Sequence, residues 1–177
     1  MDRRKFLGTA LGATAALLVL PAFLRRKQDK AMGAAKEGDI ARLDKPLSEW
    51  KKILPRDRYN VLFKEGTEPP FTSPLNDEKR AGTFICAACR LPLFSSKTKF
   101  DSGTGWPSFY EPIAGRIGTK RDFKLVLPRT EYHCIRCGGH QGHIFNDGPP
   151  PTGKRWCNNG LALEFVVEGK PLPALRS

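Results

Sequence analysis

The sequence predicts a mainly β domain with short helices near its N-terminal end. Seventeen glycines and fifteen prolines among 177 residues favour short elements joined by many turns. From Gly82 onward, short apolar runs bounded by turn residues recur, which is typical of strands. Before that point the apolar residues Leu47, Trp50, Ile53 and Leu54 follow a helical spacing.

Length and charge limit the functional classes. The chain has 40% hydrophobic and 27% charged residues, which is ordinary for a soluble domain with a sizeable core. Its net charge is +12, but half of this excess lies in residues 1–36. The remaining basic residues are scattered and are not interleaved with base-stacking aromatics. We therefore expect no nucleic-acid partner.

Residues 1–27 are predicted to be an export signal or a membrane anchor. Arg3 and Arg4, followed by Lys5 and an apolar segment at 7–24, resemble a twin-arginine leader. That segment has only the minimum length for a bilayer span, and basic residues follow it at 25–27. Cleavage and retention both stay open. Either way the leader contacts the membrane, and the domain is expected in the periplasm or on the outer face of the inner membrane.

The rest of the chain divides into a linker, a domain and a tail. Residues 28–45 are predicted to be the linker, residues 46–170 the folded domain and residues 171–177 the tail. The first helix covers 47–54, with Ser48 as its N-cap and Pro55 ending it, and a second covers 59–63. Strands are predicted at 83–85, 93–94, 124–127, 131–133, 155–157 and 161–167, the last of them well buried.

Four of the five cysteines form two CxxC pairs. The first pair is Cys86 and Cys89, the second is Cys134 and Cys137, and 44 residues lie between the two pairs. Four thiolates in two such pairs suit tetrahedral zinc, and an all-cysteine site is closed and structural. Two disulfides or a redox CxxC are the alternatives, because exported proteins often carry disulfides. Two pairs in one domain favour zinc.

The fifth cysteine, Cys157, ends a stretch that also holds two of the three histidines. His140 and His143 precede a Pro- and Gly-rich turn at 147–153, which is predicted to return them to the side of Cys157. Arg155 shares a strand face with Cys157. A thiol beside a cation and imidazoles is expected to have a lowered pKa and to act as a nucleophile. The alternative is a buried cysteine on a core strand.

Several motifs in this chain are similar to those of the methionine sulfoxide reductase B family, in order and at matching intervals. A single one would be weak, but the ordered set covers about residues 46–168. The motifs are GTE at 66–68 with PF at 70–71, the first CxxC, LF at 93–94, KFDSG at 99–103, GWPSF at 105–109, the second CxxC, HxGHIF at 140–145, DGP at 147–149 and RWCxN at 155–159.

This resemblance implies twisted antiparallel sheets with short N-terminal helices and a structural zinc site distant from the catalytic pocket. It also implies reduction of methionine-(R)-sulfoxide, mainly in proteins, through a cysteine sulfenic acid. The implied roles are Cys157 as nucleophile, His143 as proton donor with His140 supporting it, Asn159, Asp147 and Arg155 as the polar network, Trp106 against the substrate methyl, and Phe145 completing that apolar wall.

The chain departs from the family pattern at one position. Many relatives carry a second, resolving cysteine between the two glycines before the WPSF motif, and here that residue is Thr104. With four cysteines assigned to zinc, Cys157 has no internal partner. We therefore expect an external thiol reductant, either a thioredoxin-like carrier or a small thiol, and an enzyme that works as a monomer on oxidised proteins.

Two other functional classes fit parts of the sequence. A zinc-knuckle binding module without enzymatic activity would use the paired CxxC motifs and the positive charge. A disulfide-stapled envelope protein without chemistry would use the same cysteines and the leader. Neither class gives a role to Cys157, so replacing this residue distinguishes the reductase from these two alternatives.

Overall fold

The computed structural model describes residues 40–125 and 127–177. The predicted leader and most of the predicted linker lie outside these residues. Two short helices open the described part, α1 over Leu47–Ile53 and α2 over Arg56–Lys64. No helix in the described ranges has the length and apolar character needed to cross a membrane.

Both predicted helices are present: α1 starts at Leu47 as predicted, and α2 starts earlier than predicted. Pro46, not Ser48, is the N-cap of α1, and no side chain caps this helix, so the predicted serine cap is wrong. The helix starts one residue before the serine, which places Ser48 inside the first turn. Pro55 ends α1 as predicted and is the N-cap of α2, which therefore begins three residues before the predicted second helix.

Nine strands in the described residues form two antiparallel sheets, which confirms the mainly β prediction. The smaller sheet has the order β2-β1-β9, and the larger has the order β3-β4-β8-β7-β6-β5. The strands are β1 Gly82–Cys86, β2 Pro92–Ser95, β3 Lys99–Phe100, β4 Ser108–Phe109, β5 Ile117–Asp122, β6 Arg129–Cys134, β7 His140–Phe145, β8 Arg155–Asn158 and β9 Leu163–Val167.

The predicted strand at 124–127 is wrong. Lys124, Leu125 and Leu127 lie in the connection between β5 and β6, and the two leucines are exposed. The Asp122 carboxylate accepts a hydrogen bond of 2.9 Å from the backbone N–H of Lys124, a side-chain-to-backbone bond that favours a turn over a strand. The strand itself, β5, carries mostly polar residues and so gives no apolar signal.

The last strand is shorter and less buried than predicted. A 3-10 turn occupies Gly160–Ala162, so β9 begins at Leu163. Leu163 is buried, but the other four residues of the strand are only half-buried. This follows from the sheet order, because β9 lies at the edge of the smaller sheet and is covered on fewer sides.

An aromatic cluster joins the two sheets. Phe109 of β4 stacks on Phe94 of β2 at 4.3 Å between ring centroids and meets Phe84 of β1 edge-on at 4.9 Å. Tyr132 of β6 extends the cluster to Trp156 of β8 at 5.1 Å. Such pairs stabilise a core by about 0.5–1.5 kcal/mol each beyond their buried area. They fix β8 from behind, on the face opposite to Cys157.

Candidate active site

The β7–β8 hairpin places His143 directly opposite Cys157. The two residues are Cα partners in the antiparallel register, so their side chains project from the same face of the larger sheet. The intervening turn is closed by hydrogen bonds from the Gly148 N–H to the Gly153 carbonyl (3.1 Å) and from the Gly153 N–H to the Pro149 carbonyl (3.0 Å). The turn therefore returns His143 to the side of Cys157 as predicted, whereas His140 pairs with β6 and lies one histidine ring further away.

Gly142, between the two histidines, allows the two strands to approach closely. A Cβ atom at this position would lie 1.8 Å from the carbonyl oxygen of Cys157, a distance that no side chain can adopt. Any larger residue would push β7 away from β8. The separation of His143 and Cys157 therefore depends on a glycine here.

Arg155 lies on the same face as Cys157 and is held from two sides. Its guanidinium binds both carboxylate oxygens of Asp147, at 2.8 and 2.9 Å, and lies 4.3 Å from the centre of the Phe145 ring. This bidentate hydrogen bonding lowers the pKa of Asp147. Arg155, Asp147 and Phe145, three of the predicted site residues, thus form one unit beside Cys157. This unit holds the positively charged guanidinium in a fixed position.

The thiol of Cys157 is half-buried, and its pKa is raised. Burial is the largest cause, and it outweighs the charge of Arg155 and a hydrogen bond from Thr104, both of which act to lower the pKa. The sequence predicts the opposite direction, because it shows the neighbouring cation and not the loss of solvent. In the free protein the thiol is therefore mostly protonated near neutral pH.

Thr104 belongs to a short chain of hydroxyl groups beside the thiol. Its Oγ1 lies 2.8 Å from Ser102 Oγ, which in turn lies 2.8 Å from Ser108 Oγ. Ser108 is the Cα partner of Cys157 on the neighbouring strand β4. Thr104 thus places a hydroxyl group beside the sulfur, at the position where the chain has a threonine in place of a resolving cysteine.

Each histidine of the pair has its own carboxylate partner. His140 Nδ1 lies 2.7 Å from Glu131 Oε1, His143 Nε2 lies 2.7 Å from Asp122 Oδ2, and the ring centroids are 5.5 Å apart. Burial acts to raise the pKa of Glu131, but hydrogen bonds from His133 and His140 lower it to about 2. Sequence reasoning missed both carboxylates, because they lie on β5 and β6 and become neighbours only through the strand register.

Asn159 and Trp106 are tied to the loop that precedes the smaller sheet. The Asn159 side chain accepts from the backbone N–H of Glu68 (3.1 Å) and donates to the Gln141 carbonyl (3.0 Å). The indole N–H of Trp106 donates to the Glu68 carbonyl at 3.1 Å. Asn159 therefore braces the segment after Cys157 from within the protein, and Trp106 is fixed by the same loop.

Asn158, which was not predicted from the sequence as a site residue, is also buried. Its side-chain oxygen accepts a hydrogen bond from the Tyr132 hydroxyl at 2.7 Å.

A cavity of about 340 Å³ adjoins this group of residues. Asp147 and Arg155 line it together with the turn that joins β7 to β8 and with the segment after β3. Trp106 and Phe145, predicted as the apolar wall, are not among its lining residues. The lining is Phe100, Asp101, Ser102, Asp147, Gly148, Pro149 and Arg155.

The two CxxC pairs converge on one point between the two sheets. Cys86 ends β1 in the smaller sheet and Cys134 ends β6 in the larger. All four sulfur atoms lie within 4.8 Å of one another, with 3.5 Å between those of Cys89 and Cys134 and 3.7 Å between those of Cys86 and Cys137. Sulfur ligands about 2.3 Å from a tetrahedral zinc ion lie about 3.8 Å apart.

These distances fit one zinc ion and not two disulfides, in which bonded sulfurs are about 2.05 Å apart. All five cysteines are free thiols. Contacts with the neighbouring thiols, that of Cys134 foremost, together with burial raise the pKa of Cys86 and of Cys137. Four thiolates this close need a cation to neutralise them, and zinc supplies it. The two CxxC turns close in the same way, by N–H to carbonyl bonds from Arg90 to Cys86 and from Gly138 to Cys134.

Comparisons with known proteins agree with this arrangement. Residues 54–167 match the SelR domain. The chain is similar to the peptide methionine sulfoxide reductase MsrB of Pseudomonas putida, with 53% identity over 71% of this chain and 96% of the relative. The enzymes of the same name from Methanosarcina barkeri (50% identity, 71% and 89%) and Leptospira interrogans (47% identity, 71% and 97%) are similar over the same share of this chain.

Proposed function

Because this chain belongs to the SelR domain family, we propose that it reduces methionine-(R)-sulfoxide in proteins to methionine. The observation that carries the proposal is the placement of the Cys157 thiol opposite the His143 imidazole on adjacent strands. A nucleophile and an acid on one sheet face are what sulfoxide reduction requires. A zinc-knuckle binding module would have no use for this pair, since the zinc site lies elsewhere, at the ends of β1 and β6.

The reaction transfers two electrons from one sulfur to the other. The thiolate of Cys157 attacks the sulfoxide sulfur while the imidazolium of His143 protonates the sulfoxide oxygen. The bond formed between the two sulfur atoms then breaks as the protonated oxygen passes to Cys157, so the sulfur–oxygen bond of the substrate is replaced by a sulfur–oxygen bond on Cys157, which is now a sulfenic acid. Methionine sulfur is thereby reduced by two electrons, and Cys157 is oxidised by two.

The surrounding residues contact the reacting groups with polar side chains and the substrate methyl group with apolar side chains. The Arg155 guanidinium, fixed by Asp147, lowers the free energy of the thiolate that attacks. His140, paired with Glu131, supports His143 at 5.5 Å between ring centroids. Trp106 and Phe145 provide aromatic surface for the methyl group, and Asn159 fixes the backbone behind the nucleophile. Selection of one epimer follows, because exchanging methyl and oxygen would place each against the wrong surface.

Recycling of the enzyme needs thiols from outside. One thiol attacks the sulfenic acid and releases water, leaving a mixed disulfide on Cys157, and a second thiol then frees Cys157. Thr104 occupies the position of the resolving cysteine and cannot replace it. A thioredoxin-like carrier or a small thiol therefore serves as reductant for a monomeric enzyme.

A single-turnover experiment tests this function. The full chain is incubated without any thiol with each epimer of a methionine sulfoxide peptide, and the product and the intact protein mass are measured. We expect one methionine per chain from the R epimer and none from the S epimer, with a sulfenic-acid reagent bound to Cys157. Only Cys157, an acid and the pocket are needed for this step, so omission of the reductant does not prevent it.

Two outcomes would contradict the proposal in different ways. Release of methionine from the S epimer alone, or from neither, would refute the assigned reaction. A loss of two protons without a trapped adduct would mean that a cysteine of the zinc site resolves the sulfenic acid. In that case the division of the five cysteines between two sites would be wrong.

We further propose that the leader exports the domain, which then acts in the periplasm or anchored to the outer face of the inner membrane. The supporting features are Arg3 and Arg4 and the charge-free segment 7–24. A fusion of the leader to a reporter that is active only after export should be active. Changing both arginines to lysine preserves the charge and should abolish the signal. Unchanged export of the lysine variant would refute the twin-arginine route.

A further inference from the structure

We propose that Asp122 is a positioning residue for sulfoxide reduction, which orients the His143 imidazole and keeps it able to carry the proton that the sulfoxide oxygen receives. The inference rests on the proposed function, in which His143 is the acid. Asp122 lies on β5, two strands away from β7 in the sheet, and its carboxylate reaches His143 across β6.

The carboxylate of Asp122 is held in one orientation. Its Oδ1 accepts from the backbone N–H of Lys124 at 2.9 Å, and its Oδ2 accepts from Arg129 Nη2 at 2.6 Å and lies 2.7 Å from His143 Nε2. The side chain is almost entirely buried. The hydrogen bonds from the Lys124 backbone, from His143 and from Arg129 lower the pKa of Asp122. Its carboxylate is therefore a fixed anion. A fixed anion at one ring nitrogen orients the imidazole and determines which nitrogen holds the proton.

The surroundings of His143 otherwise oppose its charged form. Burial is the largest cause of its lowered pKa, and electrostatic repulsion, chiefly by Arg129, acts in the same direction. The hydrogen bond and the charge of Asp122 act against this lowering. The charged or titratable groups that share this face are Asp122 and Lys120 on β5, Arg129, Glu131 and His133 on β6, His140 on β7, and Arg155 and Cys157 on β8.

Without the Asp122 carboxylate, the pKa of His143 should fall further. The reactive form of the enzyme has Cys157 ionised and His143 protonated, and its population depends on both pKa values. The pH of maximum activity lies midway between the two values, whichever group ionises first. A lower pKa of His143 therefore moves the optimum to lower pH and reduces activity near neutral pH.

The experiment compares three full-chain variants with the wild type. Asp122→Asn keeps the size of the side chain and removes its charge, and kcat/KM for the R epimer with excess dithiothreitol should fall roughly 10- to 100-fold near neutral pH. The optimum should move to lower pH, and NMR titration of the His143 ring should give a lower pKa. Arg129→Gln removes the opposing charge, so it should move both the optimum and the His143 pKa upward.

The matched control is Glu65→Gln. Among the described residues, the Glu65 carboxylate forms ion pairs with Lys120 and Lys124, and it bonds to neither His140 nor His143. This variant should leave the pH optimum unchanged. Zinc content and the thermal midpoint of each variant report whether its fold is intact.

An activity loss in Asp122→Asn with the His143 pKa and the pH optimum unchanged would overturn the inference, because Asp122 would then only support the fold. An equal shift in Glu65→Gln would overturn it too, as would a downward shift in Arg129→Gln. If Asp122→Asn does not fold, Arg129→Gln still tests the inference, because the direction in which it moves the His143 pKa and the pH optimum either agrees with the inference or contradicts it. If the wild type fails to reduce the R epimer, the proposed function fails, and the NMR titrations still test the pairing.

Discussion

Replacing Cys157 by serine should abolish sulfoxide reduction and leave the fold and the four-cysteine site unchanged. A serine hydroxyl does not ionise in the accessible pH range and does not form a sulfenic acid, so neither step of the proposed reaction can occur. The replacement exchanges one atom at a half-buried position, where a hydroxyl can still bond to Thr104 and Arg155. Product formation from the R epimer should fall to the level of the reaction without enzyme.

The measurements must separate chemistry from stability. Zinc content should equal that of the wild type, and the thermal midpoint should change by less than about 4 °C, the shift that about 1 kcal/mol produces in a domain of this size. Residual activity well above background would show that another thiol is the nucleophile. The half-buried Cys137 would then be the first to examine, since the other three zinc-site cysteines are buried.

The sequence predicts the parts of the fold whose pattern is local. The CxxC pairs identify the zinc ligands because short spacing fixes their geometry, and apolar runs locate β1, β6 and β8. The strands β5 and β7 are missed because their residues face a polar site or solvent and show no apolar alternation. The prediction of a strand at 124–127 is wrong because Leu125 and Leu127, which are exposed, resemble strand residues, while the hydrogen bond that the Lys124 N–H donates to Asp122 cannot be read from the sequence.

In the candidate site, too, only the residues with a local sequence pattern are predicted from the sequence. Cys157, His140, His143 and Arg155 are recognisable, because their residue types imply chemistry and one hairpin brings them together. Asp122 and Glu131 are not, since they become partners of the histidines only when three strands are aligned in register. The raised pKa of Cys157 also depends on burial, a property of the folded protein that the sequence does not state.

Replacing Cys89 by serine should have the second large effect, loss of the metal and unfolding of the whole domain. Cys89 is fully buried, and its sulfur lies 3.5 Å from that of Cys134. Cys86 and Cys134 end strands of different sheets, and Cys89 and Cys137 lie in the turns that follow them, so the site joins the two sheets. Structural zinc contributes about 10–16 kcal/mol of apparent binding free energy in small domains, compared with about 5–15 kcal/mol of total stability in a typical protein.

Metal analysis should give one zinc per chain for the wild type and less than one for Cys89→Ser, together with a large fall in the thermal midpoint. A strong chelator should unfold the wild type in the same way. Cys157→Ser is the matched control, because it makes the same chemical exchange at a cysteine outside the zinc site and should retain both metal and fold. A folded, active preparation without zinc would contradict the assignment. Because the ligands at the ends of β1 and β6 lie outside the catalytic face, activity in Cys89→Ser should be lost only in proportion to the unfolded fraction.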